Sequence, residues 1–356
     1  MRFRPNFRQM LAADVGVTAP ENALAGRIAL ELTDEFIIPT YQGLVAASAA
    51  QVDAWAAFMA NRADGDVDTL RSAYHDACDA WARTQIIRTG PIVLFLRYER
   101  FAFWPDARNG TQRALDALIA SDDPNDLLPE GLATNRVAGQ GLTALERLLY
   151  DGDDRAATLS GPGEEAERRA NVGLALVRNL NSIANEVLSD WVVAGGVRDS
   201  VAAGNGWNNL FADSEEVTRL FLTDLVGAFR LMHDVKLLPV LGESIDVARP
   251  RMAEAWRSDR AQRDLVLNLE AARAMNDVFA RHLGEMRRAA LDESFDLSAT
   301  AIAALVANLG EAAADPAQRG SVEVARDVIK ATQLLIVDIL PADLGITLGF
   351  NALDGD

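Results

Sequence analysis

The chain has 356 residues, 49% of them hydrophobic and 24% charged, enough to bury a core without disulfide or metal staples. Its formal net charge of -18 repels polyanions, which excludes nucleic acid as an expected partner. A single cysteine, Cys78, rules out an intrachain disulfide, and no apolar run reaches membrane-spanning length, so no transmembrane segment is expected.

The first residues, 1–17, are basic but lack the continuous apolar stretch of a signal peptide. A helical period then recurs almost everywhere. Ala23 to Ala60 reads as helix interrupted at Pro39. Asp68 to Arg88 reads as a second helix with Leu70, Ala73, Tyr74, Ala77 and Trp81 on its buried face, broken by Gly90-Pro91. Cys78 shares that face and reads as a small buried hydrophobe, since His75 alone does not activate a thiol. Asn135 to Tyr150 is the next helix, and 160–163 a linker. Glu164, Glu165 and Glu167 then open a long helix to about Val193, where negative charge suits the N-terminal dipole. Further helices are expected over Ser214–Leu238, Asp259–Ala290, Ser298–Ala313 and Ser321–Leu340, the last stopped by Pro341.

Two short segments echo each other. Phe36-Ile37-Ile38-Pro39 leads to Trp55, and Lys236-Leu237-Leu238-Pro239 leads to Trp256 at nearly the same spacing. Duplication or chance produces such a pair, and two bundles fit it. No stretch alternates with period two for long enough to argue a sheet. The expected fold is all-α, two packed helical bundles over residues 21–160 and 161–345.

The usual catalytic signatures are missing: no G-x-S-x-G, no Walker loop, no H-E-x-x-H and no Cys pair. With only His75, His233 and His282, a histidine-built zinc site is not expected. Arg281-His282-Leu283-Gly284-Glu285 has an H-x-x-E spacing, but its arginines oppose a cation and it reads as a solvated helix face. His233-Asp234 reads as a helix-end pair near Lys236. The aromatic and charged stretch from Arg97 through Arg100 and Trp104 to Asp106 either holds an anionic or sugar-like ligand or forms an aromatic plug with surface ion pairs.

The segment Gly141-Leu142-Thr143-Ala144-Leu145-Glu146 resembles the G-x-H-x-x-E motif of the imelysin family, with threonine where histidine is expected. Other segments are similar to that family in the same order: Trp81, Arg88-Thr89-Gly90-Pro91, Trp104-Pro105-Asp106, Arg249-Pro250, Ala253-Glu254, Arg257-Ser258 and the tail 349–356. The resemblance implies two helical bundles with a site where they meet. It also implies a bacterial envelope or periplasmic protein, often linked to iron uptake, in a family first classed as metallopeptidases.

A histidine and a glutamate at i and i+3 share a helical face and can bind one cation. Thr143 offers only a neutral hydroxyl and supplies neither an imidazole ligand nor a general base. The expectation is therefore a non-enzymatic envelope binding protein with no catalytic residue, taking a small ligand or a metal ion, with an envelope partner protein. The alternatives are a divergent metal-dependent hydrolase and a purely structural role. Ligand candidates are Gly141, Thr143, Glu146, Arg88, Arg100, Trp104 and Asp106. Glu146 is the metal candidate, with iron or another divalent metal as the cofactor the resemblance admits.

Overall fold

A computed structural model describes residues 19–106, 108–152 and 157–346. The basic residues 1–17 and the tail 349–356, both singled out above, lie outside them. Among the described residues there is no strand, only one isolated bridge between Trp207 and Phe211. The fold is all-α.

Ten helices carry the architecture, joined by turns and shorter helical segments. They are α1 (Ala19–Leu32), α2 (Ile38–Ala60), α3 (Val67–Thr84), α4 (Gly110–Ala120) and α5 (Leu142–Tyr150), then α6 (Glu164–Val192), α7 (Ser214–Arg230), α8 (Ala261–Ala280), α9 (Glu285–Ala303) and α10 (Arg319–Leu344). α2 packs against α3 and α6, while α1 packs against α7. α9 lies on α10, and α8 on α3 and α9. One connected cluster of buried apolar side chains runs from Ile28 to Ile346.

Two of the expected breaks are different in kind. Pro39 does not interrupt its helix. A π-helical turn, Thr33–Ile37, joins α1 to α2, and Pro39 sits at the start of α2. Proline lacks the N–H that would bond the carbonyl four residues back, and here that carbonyl, of Glu35, lies inside the wider π turn. The same device recurs at Leu231–Leu237, with Pro239 just beyond it. The sequence echo is thus structural at the π turn and the proline. It stops there: α2 continues to Trp55 and Ala60, whereas the second segment ends at Leu241 and Trp256 lies in a turn. Pro341 likewise falls inside α10, which ends one turn later at Gly345 in the left-handed conformation (φ 66°).

The helix expected over Asp259–Ala290 is two helices. The chain breaks at 281–284, where the Arg288 guanidinium donates to the carbonyls of Ala280 (3.2 Å), Arg281 (3.5 Å) and Leu283 (3.3 Å) and so satisfies the open end of α8. α9 then continues through the break expected before Ser298, and Leu309–Ala314 is a separate short helix. The helix expected from Asn135 begins only at Leu142, after a 3-10 turn at Val137–Gly139.

Residues 23–60 are long and apolar enough by composition to cross a membrane. Their apolar side chains, Ile28, Leu32, Ile37, Tyr41 and Trp55, are core. Three of their acidic ones are paired across the fold: Asp34 with Arg198, Glu35 with Arg281, and Glu31 with His282 at 2.9 Å. The last pair also explains the H-x-x-E spacing at 282–285. His282 faces Glu31, while Glu285 opens α9.

Gly173 in α6 gives the buried Trp55 its space, since a Cβ there would stand 2.0 Å from the indole ring. Gly173→Ala should cost about 1–3 kcal/mol through overpacking. The check is the urea midpoint at constant m-value; an unchanged midpoint would mean that the ring moves aside freely.

Candidate functional site

Gly141 caps the start of α5 in an extended conformation. A Cβ at this position would lie 2.2 Å from the Phe101 carbonyl oxygen and 2.6 Å from that of Arg100. Its role is close backbone approach, which fixes where α5 begins. From that start the i, i+3 spacing puts Thr143 and Glu146 on one face, and both line a cavity of about 90 Å³ closed on the other side by residues 251–257. Trp81, Trp104 and Asp106 line it as well. Thr143, Glu146, Trp104 and Asp106 are therefore brought together.

Glu146 is buried, and its Oε1 accepts three hydrogen bonds from the far wall. The donors are the Arg257 N–H (3.0 Å), the Ser258 N–H (3.1 Å) and the Ser258 hydroxyl (2.9 Å). The Arg257 guanidinium stands 4.0 Å from Oε2. Burial pushes the Glu146 carboxyl above its ordinary range, against the opposing pull of Arg257 and of the Ser258 and Arg257 bonds. This carboxylate thus bridges α5 to the turn before α8.

The other carboxylates around the cavity are also committed. Glu254 accepts from Gln85 Nε2 at 2.8 Å and is ion-paired with the buried Lys236. Asp264 accepts from Arg260 at 2.8 Å. Asp106 caps α4, accepting from the N–H groups of Gly110 (2.7 Å) and Thr111 (2.9 Å). Burial works against ionised Asp106, but those bonds outweigh it and hold its pKa below the usual range. Among the described residues no group of three His, Cys, Asp or Glu side chains is placed to hold a metal ion. Thr143 adds only a hydroxyl. The donor set does not fit a divalent metal, and no metal-activated water can be derived from it.

Beside the cavity lies a polar network that the periodicity did not disclose. Arg260, almost fully buried, donates to Asp79 (2.5 Å) and Asp264 and reaches His75 Nδ1 at 2.9 Å, while His75 Nε2 meets the Tyr150 hydroxyl at 2.8 Å. A guanidinium on Nδ1 assigns the ring proton to Nε2. Burial and Arg260 both hold the His75 pKa down. Burial pushes the Cys78 thiol up. Neither group is poised for nucleophilic chemistry.

Two of the candidates fall elsewhere. Arg100 donates to Gln140 (2.8 Å) and Asn179 (3.2 Å), tying the loop before Gly141 to α6. Arg88 is exposed, with its guanidinium 3.4 Å from the Tyr98 ring centre. It borders a separate groove of about 300 Å³ that also holds Asp224. The site residues that spacing did not single out are Arg147, Arg251, Trp256 and Arg257. Arg147 follows Glu146 directly on α5, and the segments Arg249-Pro250 and Arg257-Ser258 were the signals for the far wall that Arg251, Trp256 and Arg257 form.

The fold and this interface define a class: an all-helical protein with a polar cavity between α5 and the segment before α8. The chain belongs to the imelysin family, whose peptidase-family model matches residues 37–335. Two solved structures are similar in fold. An imelysin-like protein from Psychrobacter arcticum has a TM-score of 0.72 at 17% identity, covering 92% of this chain and 98% of that one. A protein described as an iron-regulated protein A precursor from Parabacteroides distasonis has a TM-score of 0.69 at 14% identity, covering 93% and 98%. No curated protein matches the sequence.

Removing the Glu146 carboxylate leaves the Arg257 N–H without an acceptor and the Ser258 N–H and hydroxyl with only the Ala255 carbonyl, at 3.3 and 3.2 Å. Glu146→Ala should cost about 3–5 kcal/mol, as truncating one side of a buried charged contact does. Glu146→Gln, which keeps an acceptor oxygen, should cost clearly less. Equal losses in thermal unfolding would show that shape rather than the bonds matters at this position.

Asp224 supplies a pH signature. It accepts from the Arg88 N–H at 3.0 Å, and burial pushes its carboxyl up to about 7, against bonds from Thr89 and Arg88. The folded form keeps its proton where the unfolded form has lost it. The stability from this group is complete below the unfolded pKa and is lost as pH rises to about 7. Asp224→Asn should remove that component, on the order of 4 kcal/mol. Urea titrations at pH 5 and pH 8 read it as a smaller drop in the variant; equal drops would rule it out.

Proposed function

We propose that this protein is a non-enzymatic binding protein of the bacterial envelope, of the imelysin type, whose small ligand enters the cavity between α5 and residues 251–257. The observation that carries this reading is the Glu146 carboxylate. In place of a vacant ligand face, its Oε1 takes three donors from the opposite wall, and the cavity remains open beside it. A link to iron or another envelope nutrient, and an envelope partner protein, belong to the same reading. They are supported by family membership and by a structural relative described as iron-regulated.

The competing hydrolase reading requires a general base and an activated water. Thr143 provides neither, and each carboxylate lining the cavity already accepts bonds or an ion pair. A structural role alone would fill the interface instead of leaving space lined by three tryptophans and by Arg147, Arg251 and Arg257.

The reading is tested by native mass spectrometry of the protein recovered from a bacterial periplasm. A small-molecule adduct should accompany the wild type and be missing from Thr143→Trp, which plugs the cavity. Chelator-sensitive cleavage of casein, lost in Glu146→Ala, would replace this reading with the hydrolase.

Thr143→His restores the G-x-H-x-x-E pattern. One added ligand on a preformed face would raise divalent-metal affinity about tenfold or more. Because Glu146 is already engaged by Ser258 and Arg257, the expected result is no gain for zinc or ferrous iron in a correctly folded variant. A clear gain by calorimetry, fading below about pH 6 as the imidazole protonates, would mean that the carboxylate can be released for a cation.

A further inference from the structure

The cavity adjoins a wider depression of about 770 Å³ that shares its Asp106, Arg147, Arg251, Met252, Trp256 and Arg257 walls and adds Arg249. Four arginines thus face two aspartates, Asp106 and Asp151, on a chain whose net charge is -18. Local sign reversal of this kind concentrates anions at one place on an otherwise repelling surface.

The four arginines divide into two kinds. Arg147 and Arg257 are spoken for. Arg147 donates to Gln112 (2.8 Å) and Asp151 (3.1 Å), and Arg257 donates to Asp151 (2.7 Å) while lying 4.2 Å from the Trp256 ring centre. Arg249 and Arg251 are exposed, and among the described residues neither has an ion pair or a side-chain hydrogen bond. Arg251 has only the Trp256 face, at 5.5 Å. Two unpaired guanidiniums flank Pro250, one of them set against an indole, and both are available to an anion.

Deeper in, two donors are unmet, while the buried Glu254 Oε2 is held by the Lys236 ion pair. Trp81 is 4% exposed, lines the cavity and leaves its Nε1–H without a partner; Arg147, 8% exposed, lines both spaces and leaves its Nε–H without one. Buried donors of this kind call for an acceptor oxygen. The surrounding carboxylates are turned to other partners: Asp106 to the α4 backbone, Glu146 to Ser258 and Glu254 to Gln85.

Resting on the reading of this interface as a ligand site, we propose that its ligand is a small multivalent oxyanion, a polycarboxylate or a phosphate. Arg249 and Arg251 hold its outer oxygens, and the donors at Trp81 and Arg147 receive an inner one. Arg257 and Arg147 form the floor and keep their own carboxylate partner, so that the ligand's charge falls mainly to the two free arginines.

Calorimetry on the full chain at low salt, with citrate, inorganic phosphate, glycerol and zinc as probes, tests this. At least one of the two anions should bind, more weakly as salt is raised. The double substitution Arg249→Gln, Arg251→Gln should weaken it about tenfold or more at a nearly unchanged unfolding temperature, since the pair has no ion pair or side-chain hydrogen bond to lose and Arg251 gives up only its contact with the Trp256 face. Trp81→Phe should weaken it as well while keeping the ring. Citrate without phosphate assigns a polycarboxylate, and phosphate without citrate a phosphate. Silence from both anions overturns the proposal, as does affinity unchanged in the double variant. Glycerol or zinc binding that survives the double substitution also overturns it but leaves a ligand site in place. An adduct lost in Thr143→Trp would separately uphold that site.

Discussion

The interface depends on one carboxylate. Glu146 is carried by a short helix of nine residues, and the turn it bonds is more than a hundred residues away. That turn offers no acceptor of its own to the Arg257 N–H and only the Ala255 carbonyl, at 3.3 Å, to the Ser258 N–H, so the side chain of α5 supplies the nearer acceptor. Each part thereby fixes the other. The turn orients Glu146, and Glu146 holds the turn so that Arg251, Trp256 and Arg257 line a cavity. A charge buried this deeply is retained only if its oxygens are satisfied, and here three donors meet one oxygen while Arg257 stands near the other.

The long helices supply the frame through a second constraint, the accommodation of proline. A proline within a helix normally breaks it. Pro39 and Pro239 instead follow π-helical turns, where the widened ladder has a carbonyl to spare. This lets α1 and α2 run on as one rod that packs against α7 at one end and against α3 and α6 at the other. Lys236, within the second π turn, points inward and pairs with Glu254. The irregular turn therefore also places a buried cation behind the cavity wall, where it ties Gln85, Asn268 and Glu254 together.

Much of this was legible in residue order, and what was not has physical causes. The shared face of Thr143 and Glu146 follows from helical spacing alone. The buried face of α3 followed in the same way, through Leu70, Tyr74, Ala77 and Trp81. The break at 281–284 was hidden because apolar spacing continues across it, and the cap that makes it comes from Arg288, whose role depends on a three-dimensional carbonyl cluster. Pro39 and Pro341 misled for the opposite reason: the local rule is sound, but a π turn in one case and the nearness of the helix end in the other remove its force. Arg88 belonged to a family landmark and Arg100 to the aromatic and charged stretch, yet both sit outside the cavity, because order along the chain does not tell which residues converge.

Thr143, where the family motif has histidine, stands beside a carboxylate that already accepts from hydrogen-bond donors. An imidazole at position 143 would stand one turn from Glu146, and the pair would prefer a cation only if the carboxylate were free. Here the turn at 257–258 occupies that carboxylate with hydrogen-bond donors, which favours a negative charge on Glu146 but leaves no lone pair of Oε1 for a metal. The remaining open groups, the Arg249 and Arg251 guanidiniums and the N–H groups of Trp81 and Arg147, all seek acceptors. Substituting threonine for histidine in such surroundings removes a group whose protonated form would add positive charge beside Arg147 and Arg257, and whose neutral form would have no cation to bind. The same replacement that ends the metal motif is therefore consistent with a cavity whose unmet hydrogen-bonding capacity faces the opposite sign of charge.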